Sequence, residues 1–225
     1  MFIHPSSSIL DDLVFCSVWR SGCFLDAIRG KLAVNAATPV PPSDLTPCHE
    51  VAGRYSPGVN SLVFSGDDVA FGDSSFSIAL WVKPLGAMDI FRKSDWTDGI
   101  REYDLAISNT DIPNMRICRD GTNFTSCSGL SVKIGQWNCL MIRHDPVHDK
   151  VYFDVNGVTK VNSCAGGLFI GVSSFDIGSV QTAGGGNGSI GPIAIWKKLL
   201  SDRESMMFYN RGCGIKVFAP AGAKT

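Results

Sequence analysis

Carboxylates are the side chains of this sequence that could do acid–base chemistry, and glutamate is scarce among them. Only three of the 21 acidic residues are glutamates, Glu50, Glu102 and Glu204, and the other 18 are aspartates. Glycoside hydrolysis needs two carboxyl groups that face each other across the substrate, about 5–10 Å apart. The closest approach to an alternating pair is Glu102 with Asp104, which we interpret as solvated residues at a strand edge. The sequence therefore predicts no hydrolytic pair.

Histidines and cysteines give nucleophilic chemistry no better support. The histidines are His4, His49, His144 and His148, and the eight cysteines are Cys16, Cys23, Cys48, Cys118, Cys127, Cys139, Cys164 and Cys213. No C-x-x-C pair occurs, which argues against a zinc site. Cys48 is next to His49, but adjacent strand residues point to opposite faces. We expect buried free thiols; the alternative is one or more disulfides, with Cys16 and Cys23 nearest in sequence.

The length and charge of the chain limit the classes of function that it can have. The chain has 225 residues, with 20 basic and 21 acidic side chains. This length fits one domain with its own core. The absence of a basic excess argues against a nucleic-acid-binding protein, and no apolar run is long enough to span a membrane. No secretory signal is evident at the start, so we expect a cytoplasmic protein, a component of a larger particle, or a mature form.

Apolar and polar residues alternate along most of the chain, which predicts strands. The predicted strands are 13–19, 61–64, 69–71, 76–82, 103–108, 115–119, 137–144, 150–155, 168–171, 175–178 and 189–196. Asn156-Gly157 predicts a type I′ hairpin turn. A strict two-residue loop would place Lys160 opposite Phe153 on the inward face, so a longer or bulged loop is an alternative. Residues 38–57, with five prolines, and 181–188 are predicted loops.

One helix follows the last strand. Ser201 and Glu204 fit a capping box at its start, and Gly212 fits the left-handed residue after its end. A helix this short does not stand alone. We expect it to dock on the strands through Met206, Phe208 and Tyr209.

The order of these pieces matches a known family. LVFCSVW is followed by SLVFSGDDVAF, FSIALWVKP, QWNCLMIRHD, KVYFDVNGV and SIGPIAIWKKLLSDRESMMFYNRG. In this order the chain resembles a laminin-G-like domain of the concanavalin A-like lectin/glucanase superfamily. The resemblance covers residues 13–212 and implies an all-β, antiparallel jelly-roll sandwich with one short C-terminal helix. We predict a single domain over residues 1–225, with short terminal extensions.

The resemblance also raises the question of calcium, which is the family's common ion. It implies Asp67, Asp68 and Asp176 as carboxylate ligands, together with carbonyl oxygens of residues 184–188. The chain has GPIA at residues 191–194, where many family members carry an acidic residue. We therefore predict that no cofactor is bound, with calcium as the alternative.

Glycan binding would use an exposed aromatic ring among polar side chains. Trp96, in the polar segment KSDWTDG, is the best candidate, and Arg101, Tyr103 and Asn123 are nearby possibilities. The alternative is that Trp96 folds back to cover the end of the sandwich.

We predict a non-enzymatic binding or structural module. The compact layout and the G-x-I-G-x-x-x-x-W ending resemble bacteriophage virion proteins, such as capsid decoration, head-fibre or tail adhesion components made in the host cytoplasm. A secreted or cell-surface glycan-binding lectin is the alternative, and a glycoside hydrolase is the third possibility. We expect partners to be identical copies, a capsid protein or a tail protein, and neither nucleic acid nor a membrane. The expected assembly contacts are Phe2, Ile3, Ile215, Val217 and Phe218.

Overall fold

The computed structural model describes residues 11–20, 23–35, 40–56, 61–95, 100–164, 166–178 and 187–213. The strands are β1 (Leu13–Arg20), β2 (Cys23–Asp26), β3 (Lys31–Leu32), β4 (Val34–Asn35), β5 (Pro42–Leu45), β6 (Val51–Tyr55), β7 (Leu62–Phe64), β8 (Phe76–Pro84), β9 (Met88–Asp95), β10 (Ile100–Ile107), β11 (Pro113–Cys118), β12 (Phe124–Ser128), β13 (Asn138–Asp145), β14 (Lys150–Val155), β15 (Val158–Ser163), β16 (Phe175–Ile177) and β17 (Gly188–Trp196). The helices are α1 (Asp202–Tyr209) and two 3-10 helices, Asp67–Val69 and Asn210–Gly212. None of the helices in these ranges has the length and apolar character required to cross a membrane.

The strands form two sheets. A ten-stranded sheet has the order β15-β14-β13-β8-β17-β1-β2-β3, and β6 joins it through β17 with β5 at its side. A seven-stranded sheet has the order β12-β11-β10-β9-β16-β7-β4. The pairings among the described strands are antiparallel. The predicted all-β sandwich with one short C-terminal helix is confirmed.

The facing surfaces of the two sheets form the main core. Phe76, Ile78 and Leu80 of β8 are fully buried, and Tyr103 and Leu105 of β10 meet them from the other sheet. The alternation that predicted these strands therefore marks their inward side chains. Burial of such a side chain stabilises the fold by about 1.5–3 kcal/mol.

A second apolar cluster lies on the outer face of the ten-stranded sheet, where helix α1 docks. Phe208 of α1 is buried and its ring lies perpendicular to that of Trp196, with 6.2 Å between the ring centroids. The predicted capping box of Ser201 and Glu204 is confirmed. The helix ends earlier than predicted, because Asn210 rather than Gly212 is its left-handed cap. Of the expected anchors, Met206 is exposed instead of docked.

The hairpin of β14 and β15 has the predicted two-residue turn. Asn156 and Gly157 have φ of 52° and 80°, and Val155 pairs directly with Val158. Lys160 does lie opposite Phe153, but its ammonium reaches across to donate to the hydroxyl of Ser128 at 2.8 Å. That hydrogen bond removes the conflict, so no bulge is needed.

Three predicted elements were wrong. The segment predicted as strand 69–71 is not a strand, because Val69 is the last residue of a 3-10 helix. Val69 and Phe71 are buried in the core. The segment 168–171 is not a strand, because Leu168 N donates to Gly72 O and Phe169 N to Cys118 O, which belong to different elements. The predicted loop 38–57 contains β5 and β6. Pro42 is tolerated there because it begins a strand that pairs on one side only.

The cysteines with described side chains are free thiols: Cys16, Cys48, Cys118, Cys127, Cys139, Cys164 and Cys213. All of these except Cys213 are buried, which confirms the interpretation of buried free thiols for them. Cys16 is among the free thiols, so a Cys16–Cys23 disulfide is not part of this structure.

Candidate functional site

A cleft of about 440 Å³ opens beside the turn that joins β11 to β12. It is lined by Asp73, Arg119, Asp120, Asn123, Phe124, Thr125, Gly167 and Leu168. Three separate segments thus contribute to it. Hydrogen bonds from Leu168 N to Gly72 O at 2.8 Å and from Phe169 N to Cys118 O at 2.9 Å tie these segments together.

The β11–β12 turn holds its polar groups in fixed positions. The Asp120 Oδ1 accepts hydrogen bonds from the backbone N–H of Thr122 at 2.9 Å and of Asn123 at 2.7 Å. Its Oδ2 accepts from the Asn123 amide at 2.8 Å. These hydrogen bonds, first those from Asn123, hold the pKa of Asp120 well below its usual range. The carboxylate is therefore ionised, and the Asn123 side chain is oriented before any ligand arrives.

Two glycines make room for the other polar side chains of the cleft. Gly166 has a φ of +76°, and a Cβ there would lie 2.7 Å from Arg119 Nε. A Cβ at Gly167 would collide with Asp73 Oδ1. Glycine at these positions therefore leaves room for the Arg119 and Asp73 side chains as they lie in the cleft.

The lining residues are rich in hydrogen-bonding groups and carry two carboxylates against one guanidinium. Phe124 adds an apolar surface, with the guanidinium carbons of Arg101 and Arg116 at 5.5 and 5.3 Å from its ring centroid. Such a site can bind a ligand that has many hydroxyl groups.

The structure brings together two of the four predicted glycan-binding residues. Asn123 lines the cleft, and Arg101 donates to Thr122 O of the same turn at 3.0 Å. Trp96 lies outside the described residues.

The prediction of Tyr103 as a glycan-binding residue was wrong, because Tyr103 is fully buried between the sheets. Its hydroxyl donates to Val69 O at 2.8 Å, and burial raises its pKa well above the usual value. Tyr103 alternates with Leu105 and Ile107 on the inward face of β10, which explains why it is not available to a ligand.

The three aspartates proposed as calcium ligands are not brought together. Asp68 forms an ion pair with Arg29 at 2.7 Å, and Asp176 forms one with Arg92 at 3.3 Å. Asp67 is exposed and accepts a hydrogen bond from the Ser65 hydroxyl at 3.4 Å. Within the described ranges, no group of three or more His, Cys, Asp or Glu side chains could hold a metal ion. Of the carbonyl segment 184–188, residues 184–186 lie outside those ranges.

The interpretation of Glu102 and Asp104 as solvated strand-edge residues was wrong. Glu102 is fully buried and paired with Lys93, which is itself fully buried. Burial raises the pKa of Glu102 to about 7. Asp104 is buried beside Arg116, with 2.7 Å between Oδ1 and Nε, and burial raises its pKa to about 6. Each carboxylate is therefore committed to a basic side chain of the protein.

Asp104 belongs to a row of alternating charges that we call the charged row: Arg116, Asp104, Arg92 and Asp176. These residues lie directly opposite one another on β11, β10, β9 and β16. They are on the face of the seven-stranded sheet that points away from the core, because their neighbours along the strands, such as Leu105 and Ile177, point inward.

Sequence reasoning missed most of the cleft. Sequence analysis does not identify the following lining residues as candidates: Asp73, Arg119, Asp120, Phe124, Thr125, Gly167 and Leu168. Gly166-Gly167, next to Leu168, is the local signal that could have indicated a close approach of side chains. The expected assembly residues Phe2, Ile3, Ile215, Val217 and Phe218 all lie outside the described residues.

Comparison with solved structures shows the same fold in bacterial toxin domains. The binding domain of Paraclostridial Mosquitocidal Protein 1 superimposes with a TM-score of 0.74 and 14% identity, over 90% of this chain and 53% of that chain. The receptor binding domain of botulinum neurotoxin D gives 0.69 and 14%, over 90% and 53%. The binding domain of botulinum neurotoxin DC in complex with SialylT gives 0.69 and 14%, over 90% and 52%. The chain therefore spans about half the length of these domains.

Comparison of sequences gives the family. Among curated proteins, no sequence matches this chain. A family model, Laminin_G_3, described as concanavalin A-like lectin/glucanases superfamily, matches residues 57–204. This match covers more than half of the 225 residues and includes most of the seven-stranded sheet and the cleft. The chain belongs to the concanavalin A-like lectin/glucanase superfamily.

Proposed function

We propose that this protein is a glycan-binding module and that the cleft beside the β11–β12 turn is its binding site. The observation that carries the proposal is the set of preordered polar groups around an aromatic ring in that cleft. The fold similarity to toxin binding domains, one of them in complex with SialylT, supports the same class of function.

The lining residues offer the hydrogen-bonding groups that a sugar requires. Asp73 and Asp120 accept hydrogen bonds from sugar hydroxyls, Arg119 donates to ring or hydroxyl oxygens, and the Asn123 amide does both. Phe124 offers an apolar surface to the C–H groups of the sugar ring. Because Asp120 already orients Asn123, little side-chain freedom is lost on binding.

A glycan array followed by calorimetric titration tests the proposal. Asn123→Ala should weaken binding of the best glycan about tenfold or more, since it removes a hydrogen-bonding side chain from a preordered site. Asn109→Ala is the matched control, because Asn109 is an exposed asparagine in the turn at the opposite end of β11. The proposal fails if no glycan binds, or if Asn123→Ala and Asn109→Ala have equal affinity.

The proposed function is binding without hydrolysis. β-Glucans, galactans and bacterial polysaccharides incubated with the protein should release no reducing sugar. Turnover that disappears in Glu102→Gln would contradict this expectation.

The setting in which the module acts stays a proposal. A virion component that uses the cleft for adhesion is supported by the resemblance of the ending at residues 188–196, and a secreted or cell-surface lectin is supported by the fold comparisons. Mass spectrometry of purified particles separates the two. The expected contacts with identical copies or with a capsid or tail protein are tested by deleting residues 1–8 and 214–225 separately and measuring retention on the particle.

A further inference from the structure

A lysine and a glutamate form an ion pair in the interior of the protein. Lys93 lies in β9 and Glu102 in β10, and the exposed fraction of both side chains is 0%. The Lys93 ammonium donates a hydrogen bond to Glu102 Oε1. Lysine and glutamate are almost never fully buried unless they are paired, so the place of this pair in the fold calls for a physical reason.

A β-bulge brings the glutamate into the interior. Arg101 pairs with Ser94 and Tyr103 pairs with Lys93, so Glu102 is an extra residue between two paired positions. In a regular strand Glu102 and Tyr103 would point to opposite faces, but both are fully buried. Bulges redirect side chains in this way and are common next to functional sites. The bulge thus accounts for the Glu102 carboxylate lying beside the Lys93 ammonium.

The ammonium of Lys93 has a second acceptor, in the segment that forms one wall of the cleft. We call residues 166–174 the wall segment. It lies between β15 and β16 and includes Gly167 and Leu168, which line the cleft. Lys93 Nζ donates a hydrogen bond to Gly171 O of this segment at 3.2 Å. The buried ion pair is therefore joined directly to the wall segment.

The wall segment is not part of a sheet, so separate contacts hold it in place. The two backbone hydrogen bonds described above hold Leu168 and Phe169. Further along the segment, a Cβ at Gly66 would collide with Ser173 O and would lie 2.9 Å from Lys93 Cε. The backbone of the segment and the side chain of Lys93 thus pack together against Gly66. Lys93 holds the half of the segment that lies beyond the two backbone hydrogen bonds.

Stability alone does not explain the ion pair. Two charges lose their hydration on burial, and apolar side chains of similar volume in place of a buried ion pair often leave a protein as stable or more stable. Apolar side chains cannot, however, donate a hydrogen bond to Gly171 O. The Lys93 ammonium does so, and the Glu102 carboxylate holds that ammonium in one position. What the pair adds over apolar side chains is therefore a fixed position of the wall segment.

We propose that Lys93 and Glu102 are positioning residues for the cleft: they hold the wall segment, and with it Gly167 and Leu168, in the geometry that binds the ligand, and they add little to the stability of the fold. The holding of the wall segment is independent of the proposed glycan-binding function, whereas its effect on affinity rests on that function.

The test is a double variant, Lys93→Met with Glu102→Leu, which replaces both charges by apolar side chains of similar volume. Amide hydrogen exchange of the full chain, followed by mass spectrometry, measures the order of the wall segment. We expect the Leu168 and Phe169 amides to be protected in the parent protein and to exchange at least about tenfold faster in the double variant. The denaturation midpoint should be unchanged or higher, and the affinity for the best glycan should fall about tenfold.

Two sets of variants serve as controls. Lys83→Met with Asp44→Leu removes an ion pair of the ten-stranded sheet, in which 2.7 Å separates Nζ from Oδ2 and both side chains reach solvent. This control should change neither the exchange of the wall segment nor the affinity. The single variants Lys93→Met and Glu102→Leu each leave one buried charge unpaired, so their denaturation midpoints should lie below that of the double variant.

Each other outcome counts against the proposal. A double variant that fails to fold, or whose midpoint falls as far as those of the single variants, shows that the pair stabilises the fold instead. Unchanged exchange of Leu168 and Phe169 overturns the holding of the wall segment, as does rapid exchange of both amides in the parent protein. Faster exchange with equal glycan affinity overturns the coupling to the cleft. A parent protein that binds no glycan refutes the proposed function, but the exchange measurement still decides whether the pair holds the wall segment.

Discussion

The outer faces of the two sheets differ in what covers them. The ten-stranded sheet carries Trp81, Met141 and Trp196 on its outer face, and helix α1 buries them under Phe208. The seven-stranded sheet carries the charged row on its outer face. The cleft begins next to this row, because Phe124 both lines the cleft and contacts the guanidinium of Arg116.

The difference shows that one outer face of the molecule stabilises the fold, whereas the other is available for binding. Apolar burial stabilises by about 25 cal/mol per Å², so the covered face adds to the free energy of unfolding. The carboxylates of the charged row, Asp104 and Asp176, are buried. The cost of removing paired charges from water offsets most of their attraction, so the charged row adds little to stability. A face that contributes little to stability can carry ligand-binding groups, and four variants or conditions test this division.

The largest effect is expected where the helix covers the ten-stranded sheet. Phe208→Ala should lower the free energy of unfolding by about 3–5 kcal/mol, because a buried ring is replaced by a cavity. Met206→Ala is the control on the same helix, since Met206 is 48% exposed, and it should cost under about 1 kcal/mol. Chemical denaturation measures both. Similar losses for the two variants would mean that the helix does not cover this face as described.

The same contrast explains which elements the sequence could predict. The helix cap at Ser201 and the turn at Asn156-Gly157 depend on neighbours within a few residues, so local patterns predict them. The core strands β8 and β14 were predicted because their inward residues alternate, whereas β9, which also contributes to the core, was not predicted. β5 and β6 join the ten-stranded sheet only because β6 pairs with β17, which lies far later in the sequence and which local patterns do not show.

The candidate site was predicted less well for a similar reason. Asp73, Arg119 and Gly167 lie far apart in sequence and meet only through the fold. Tyr103 has polar neighbours in sequence, Glu102 and Asp104, which favoured a surface position. Those neighbours are themselves buried and paired with basic side chains. The polarity of a segment thus does not establish its exposure when ion pairs are buried.

A variant in the β14–β15 turn gives a second test of the face of the ten-stranded sheet that helix α1 covers. A Cβ at Gly157 would lie 2.6 Å from the Tyr209 ring of α1, and Gly157 has a φ of +80°. Gly157→Val should therefore destabilise by about 2–3 kcal/mol, from backbone strain and from displacement of the helix. Gly135→Val is the matched control, because Gly135 has a φ of +73° with nothing within 4 Å of its Cβ position. Thermal and chemical melts should show a smaller loss for Gly135→Val. Equal losses of stability in the two variants would show that backbone strain alone explains them and that contact with Tyr209 contributes nothing.

The charged row should make stability depend on pH. Burial raises the pKa of Asp104 from 3.8 to about 6. The folded state therefore binds the proton more tightly than the unfolded state, and this contribution to stability, fully present below pH 3.8, is lost as the pH rises to about 6. Each bound proton changes the free energy by at most about 1.4 kcal/mol per pH unit. In Asp104→Asn the free energy of unfolding should decrease less between pH 4 and 6 than in the parent protein. Part of the decrease should remain, because the buried Glu102 has a pKa of about 7.

Denaturation at a series of pH values measures this slope. Asp44→Asn is the control, because the exposed Asp44 pairs with Lys83, which lowers its pKa. That group titrates below the window, so its removal should leave the slope unchanged. An unchanged slope in Asp104→Asn would show that Asp104 is ionised in the folded protein across this range.

The smallest effect is expected from calcium. The carboxylates of Asp68 and Asp176 are already neutralised by Arg29 and Arg92, so a cation would have to displace two ion pairs in separate places. The melting temperature should therefore change by less than about 1 °C between excess EDTA and millimolar calcium, since a ligand stabilises only a fold that binds it. Magnesium at equal ionic strength controls for screening of surface charges. A rise specific to calcium that disappears in Asp68→Asn would place a ligand site at the rim of the seven-stranded sheet, where we describe only ion pairs.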